Sequence, residues 1–171
     1  MSEHKNHVRN LAIAAMFAAM IAVSIIFLHV PVGVGILHFG DAVIYLAACI
    51  LPMPYALAAA ALGGGLANVL AGHAIWAPAT IIIKPLIALW FTSSGKFVSA
   101  RNVVALFIAG LISMSGYYLY AALVVSGSWT APLANLGGDL VQSVGSGLMF
   151  LIVGTAFDRV GLKNRLRLGT N

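Results

Sequence analysis

The run Leu11-Ala-Ile-Ala-Ala-Met-Phe-Ala-Ala-Met-Ile-Ala-Val-Ser-Ile-Ile-Phe-Leu28 carries no charge and a single hydroxyl, at Ser24. A bilayer core about 30 Å thick takes about 20 apolar residues per helical crossing, so this run has the length of a full span. It continues as His29-Val30-Pro31 with no small-residue cleavage pattern, and reads as a retained first helix rather than a signal peptide. The rest of the chain repeats its character. Of 171 residues, 61% are hydrophobic and 8% are charged, against roughly 25% charged in a soluble domain. The composition predicts an all-α, polytopic membrane protein, a single membrane domain over residues 1–171 with room for five to seven spans and no appended soluble module.

Polar residues, Gly and Pro divide the chain into helices at about 9–29, 41–52, 54–72, 75–93, 102–125 and 133–158. The second helix is too short to cross a bilayer alone. The segment before it, Pro31-Val-Gly-Val-Gly-Ile-Leu-His-Phe-Gly40, must therefore complete the crossing or fold back over the protein, and is the first place to expect function.

Orientation follows from Lys and Arg, which are retained on the cytoplasmic side near span ends. Lys5 and Arg9 lie at the N-terminal end of helix 1, Lys96 and Arg101 between helices 4 and 5, and Arg159, Lys163, Arg165 and Arg167 after helix 6. Six spans with both termini in the cytoplasm put all three groups on one side. The opposite, external side then receives segments 30–40, Gly72-His73 and 126–132, which hold no Lys or Arg. Five or seven spans would break this pattern. The net charge of +5 is read as cytoplasmic anchoring rather than nucleic-acid binding.

Polar groups at membrane depth are costly and each needs a reason. Helix 4 starts outside with His73, Trp76 and Pro78 and then carries Lys84, about nine residues or ~14 Å deep. Helix 6 carries Asn135, Asp139, Gln142 and Ser146 at spacings of four, three and four, on one helical face. Asn68 ends helix 3, while Ser113, Tyr117 and Tyr120 line the outer half of helix 5. Four helices thus send polar or aromatic groups into one leaflet beneath the segment bearing His38, Phe39 and Asp41. An outward-opening cavity with aromatic walls and few convergent polar groups is what a small-molecule site requires. Asp139, Gln142 and Lys84 lead the candidate substrate contacts; Trp76 and Tyr117 would stack on a flat ring, and His38, Asn68 and Asn135 complete the set. Pro78 and Pro85 shape helix 4, and Trp129 anchors at the interface.

Two structural readings stand beside this one. Lys84 and Asp139 would neutralise each other as a buried pair, and Asn68, Gln142 and Ser113 would be interhelical hydrogen-bond glue. In helix 1, Ala14 with Ala18 and Ala15 with Ala19 form small-xxx-small steps that admit close approach of another helix, inside the fold or from a partner. Cys49 reads as a buried structural thiol. Gly95-Lys96 is followed by Phe97 and lacks the glycine spacing of a phosphate loop, so an ATP-driven step needs a partner. No Ser/His/Asp set, HExxH, Cys pair or carboxylate cluster argues for an enzyme, a metal or a cofactor.

The six-span plan, the stretch Ala14-Ala-Met-Phe-Ala-Ala19, the long segment before a short helix 2 and the stretch Gly138-Asp-Leu-Val-Gln142 together resemble the substrate-binding S components of energy-coupling-factor (ECF) vitamin transporters. The resemblance covers essentially the whole chain. It implies that Ala14, Ala15, Ala18 and Ala19 dock on a transmembrane coupling subunit driven by two cytoplasmic ATPase subunits. It further implies a plasma-membrane location and a ligand near the outer face, capped by the helix 1–2 segment. The closest likeness is to small members linked to hydroxymethylpyrimidine or vitamin B6. From other classes, a stand-alone proton-coupled secondary transporter or channel would use Lys84 and Asp139 as its charge pair, and an intramembrane enzyme would turn a bound compound over.

Overall fold

The computed structural model describes residues 2–32 and 35–163; Gly33 and Val34 of the helix 1–2 segment and the basic residues Arg165 and Arg167 lie outside them. The described residues form six helices: α1 (Ser2–Phe27), α2 (Gly40–Ile50), α3 (Met53–Leu70), α4 (Ala77–Ala88), α5 (Ala100–Tyr120) and α6 (Leu136–Arg159). Single 3-10 turns lead into α4 (Ala74–Trp76) and α6 (Ala131–Asn135), and a π turn, Ala121–Val125, prolongs α5.

The punctuation has local causes. Pro54 and Pro78 sit in the first turns of α3 and α4, where a missing N–H costs nothing. The Ser99 hydroxyl caps α5 by accepting from the Asn102 N–H. Gly72, at φ +80, makes the left-handed turn that ends α3.

Successive helices run in opposite directions between two ends of the bundle. At one end, His7 of α1 meets Tyr55 of α3, and Asp158 of α6 meets the α4–α5 connection at Phe97 and Val98. At the other end the α1–α2 segment, read from the sequence as completing the crossing or folding back over the protein, forms an antiparallel hairpin of β1 (His29–Val32) and β2 (Gly35–His38), with His29 opposite His38 and Val30 opposite Leu37. Extended chain covering an apolar bundle must satisfy its own backbone groups, and pairing the segment with itself does so. Helix α2 has 11 residues, or ~16 Å at 1.5 Å each, so the hairpin occupies the depth that α2 leaves.

Small residues allow the tight approaches. At Gly63 a Cβ would lie 2.7 Å from the Ala18 carbonyl oxygen, so α1 and α3 touch backbone to backbone. At Gly145 it would lie 2.5 Å from Leu37 Cδ1, which is how the hairpin seats on α6. The buried centre is aromatic: Tyr45 stacks on Phe91 at 4.5 Å, and Phe150 meets both edge-on.

The outward surface is apolar, with Phe107, Leu111 and Ile152 each about two-thirds exposed or more, as a lipid-facing surface requires. Four stretches, His4–Phe27, Met53–Leu70, Ala100–Val125 and Ala131–Arg159, are long and apolar enough to cross a bilayer; Gly40–Ile50 and Ala74–Ala88 are apolar but shorter. The chain is a membrane protein of six helices.

Candidate functional site

Beneath the hairpin, the helices bring their polar side chains into one cluster. Asp41, in the first turn of α2, points its carboxylate at Lys84 of α4, with Nζ to Oδ1 at 2.6 Å and both side chains almost fully buried. A helix N-terminus favours a negative charge, and a lysine at this depth needs a counter-charge. The alternative reading in which Lys84 pairs with Asp139 is thereby corrected: the partner is Asp41. Asp139 is half-buried and shares no hydrogen bond with Lys84, because the α2 N-terminus, folded under the hairpin, reaches the lysine first.

Gln142 of α6 ties this pair to the hairpin. Its Oε1 accepts from the His38 backbone N–H at 2.7 Å, and its Nε2 donates to the His38 carbonyl at 2.9 Å. The same nitrogen lies 3.1 Å from Ser146 Oγ, 3.2 Å from His38 Nδ1 and 3.5 Å from Asp41 Oδ2. Its primary amide thus reads the edge of β2 as a neighbouring strand would.

The other wall is aromatic and hydroxylated. The Lys84 ammonium sits 5.1 Å from the Tyr117 ring centre. The Tyr117 hydroxyl lies 3.0 Å from Thr80 Oγ1, which accepts from Asn68 Nδ2 at 2.6 Å. Trp76 faces Tyr117 and Tyr120 at 6.1 and 5.8 Å between centroids, and the Tyr120 hydroxyl donates to the Ile75 carbonyl.

Of the sequence-derived candidates, Lys84, Gln142, His38, Asn68, Tyr117 and Trp76 fall in this one cluster. Asp139 borders it, and Asn135 lies exposed in the turn before α6. Asp41 and Thr80 belong to the cluster and were not among the chosen contacts. Asp41 had a signal, as the first acid after a Gly-rich segment, and so had Thr80, one helical turn before Lys84.

The alanines of α1 divide by face. Ala14 is buried and Ala18 lies against Gly63 of α3, whereas Ala15 and Ala19 are exposed beside Met16 and Met20. A second polar knot holds the opposite end. The Asp158 carboxylate accepts from the N–H groups of Phe97 and Val98 at 2.8 and 2.9 Å, and the buried Asn102 amide donates to the Phe97 carbonyl at 2.9 Å. Cys49 is buried beside Asn102, in agreement with a structural role.

A protein of Pyrococcus woesei, described as an uncharacterized protein in gap 3'region, is 29% identical over 143 residues, which are 79% of this chain and 94% of that one. The family model of the ECF-type riboflavin transporter, S component, matches residues 5–159, nearly all of the described bundle. ECF S components serve vitamin uptake and work with a module of a transmembrane subunit and ATPases. A polar cluster under a hairpin cap, inside a bundle with an apolar outer surface, is an arrangement suited to a substrate-binding membrane subunit, and the chain belongs to the ECF-type riboflavin transporter S-component family.

Proposed function

We propose that this chain captures a small, flat, hydroxylated nitrogen heterocycle, of the hydroxymethylpyrimidine or pyridoxine type, from outside the cell for an ATP-driven ECF importer. The observation that carries the reading is the buried cluster of one cation, one anion, an amide and hydroxyls against the Trp76–Tyr117 wall. Such a set serves ring nitrogens and hydroxymethyl groups on one edge of a ring while aromatic faces hold its plane. Gln142, Lys84, Tyr117, Trp76, His38 and Asn68 are the proposed contacts, with Asp139 and Asn135 towards the mouth.

In this reading the chain crosses the plasma membrane six times with both termini in the cytoplasm and the hairpin outside. The Lys and Arg distribution supports that orientation. The exposed Ala15–Ala19 face of α1 is the proposed contact with the coupling subunit, and two cytoplasmic ATPases supply the energy. The family description names riboflavin, whose fused three-ring system is the second reading.

Extraction of the protein purified from rich medium, with mass spectrometry of what it carries, tests both. A stoichiometric pyrimidine or pyridine vitamin supports the first reading and riboflavin the second. If neither co-purifies and neither binds when added, capture of these vitamins is refuted. Uptake by liposomes holding this chain without ATPase subunits would instead favour a stand-alone carrier.

A further inference from the structure

Arg159 closes the last turn of α6, in the apolar stretch Ala131–Arg159 that is long enough to cross a bilayer. It is exposed, and among the described residues no carboxylate pairs with it. Its neighbour Asp158 is engaged, accepting from the N–H groups of Phe97 and Val98. One turn earlier the Thr155 side chain is exposed as well. Ser115, at an exposed position of α5, donates back to the Leu111 carbonyl; among the described residues Thr155 makes no such bond, and its hydroxyl stays available. Between these polar groups the helix is notched. Ala156 is small where Ile152 and Val160 are large, and together with Leu151, Thr155 and Arg159 they line an open depression of about 700 Å³, within the size range of small-ligand sites. Towards the middle of the bundle the notch continues as an apolar strip. Val144, Leu148 and Ile152 are exposed on the helical face that carries Thr155 and Arg159, while Gly147, Phe150 and Gly154 are buried on the opposite one. The rise from Val144 to Thr155 is ~16 Å at 1.5 Å per residue, close to half of a hydrocarbon core about 30 Å thick. From the end of the helix inward, the face thus presents a cation, a hydroxyl and an apolar strip one leaflet long. A phospholipid presents its phosphate, glycerol ester and acyl chain in the same order.

We propose that this face of α6 seats one anionic phospholipid: Arg159 bonds the phosphate, Thr155 donates to a glycerol ester carbonyl, and one acyl chain lies along Ile152, Leu148 and Val144. Charge complementarity selects this occupant. A guanidinium grips phosphate oxygens with two parallel hydrogen bonds, and an arginine without a carboxylate favours a headgroup of net negative charge. A zwitterionic headgroup carries its own cation and gains less. The seat lies on the outer surface of the bundle, on the side of α6 away from Gln142 and Ser146, so it does not depend on the capture reading. Arg101 is exposed at the same end of the bundle but is not among the side chains that line the notch. It shares the charge without the seat.

The full-length chain is placed in nanodiscs of equal parts phosphatidylglycerol and phosphatidylcholine with matched acyl chains, and native mass spectrometry reads the lipid it retains on release. Wild type is expected to keep one phosphatidylglycerol in preference to phosphatidylcholine. Arg159→Gln should lower that retention about fivefold, the scale of one basic residue at a lipid headgroup, and Arg101→Gln should leave it within about twofold. Equal retention of the two lipids by wild type overturns the proposal, as do equal losses in the two variants, which would reduce Arg159 to general surface charge. A second measurement needs no variant. Phosphatidylglycerol with a photoreactive acyl chain should label wild type on the peptide holding Val144, Leu148 and Ile152. Labelling spread evenly over the outward helices overturns the seat. So does protection of that peptide by a second copy of the chain, by another protein or by residues 164–171, seen as a protein cross-link to Ala156→Cys.

Discussion

Lys84 and Asp41 bond to each other at a depth where neither can reach water, so each is tolerable only while the other is present. Lys84→Met leaves the Asp41 carboxylate buried and unpaired, a change expected to destabilise by about 3–5 kcal/mol, whereas Lys84→Met with Asp41→Leu should recover most of that loss. Thermal unfolding in detergent of the two single variants and the double measures the coupling directly. Additive losses, with no recovery in the double variant, would show that the two residues act independently. That Lys84 needed a carboxylate was legible from its depth in an apolar helix. Which carboxylate was not: Asp139 lies on a polar helical stripe that advertises itself, while Asp41 heads a short helix whose placement depends on how the preceding segment folds.

Among the elements, helix α1 shows how one sequence pattern serves two purposes. Its two small-residue steps are indistinguishable by spacing, yet Ala14 is buried and Ala18 packs on α3 while Ala15 and Ala19 stay exposed, because they lie one residue, or about 100°, further round the helix. Gly63→Val tests the inner step. Its Cβ would meet the Ala18 backbone oxygen, which cannot swing aside, and α1 would have to move. Overpacking of this kind is expected to cost about 1–3 kcal/mol, read as a lowered midpoint of thermal unfolding. An unchanged midpoint would mean that α1 is not clamped there. The β-hairpin, by contrast, had only a composition signal. Four-residue strands flanked by Gly leave no period to read, and their stability comes from Gln142 and Leu37 contacts with α6, more than one hundred residues away in sequence.

For the whole molecule, the proposed six-crossing arrangement makes a topological prediction. Cys49 is fully buried, so introduced cysteines report alone. Thr130→Cys should react with an impermeant maleimide on intact cells, and Ser94→Cys only after permeabilisation. The reverse pattern would invert the assignment, and labelling of both from outside would refute six crossings. Both positions are exposed, on connections at opposite ends of the bundle.

What the sequence alone determined was the solvent and the partition. Apolar length and charge scarcity called for helices in a bilayer, and most helix boundaries lie within a few residues of their expected places because Gly, Pro and polar residues interrupt an otherwise uniform apolar chain, whereas α1 begins at Ser2 instead of about 9 and α4 ends at Ala88 instead of about 93. It also brought six of the eight candidate contacts to one cluster, since polar residues in apolar helices have few places to face. Tertiary structure alone decided the partners. The choice of Asp41 over Asp139 for Lys84, the Gln142 hold on His38 and the division of the α1 alanines all depend on helix rotation and on a folded-back hairpin. These are set by contacts between residues distant in sequence, and no local spacing encodes them.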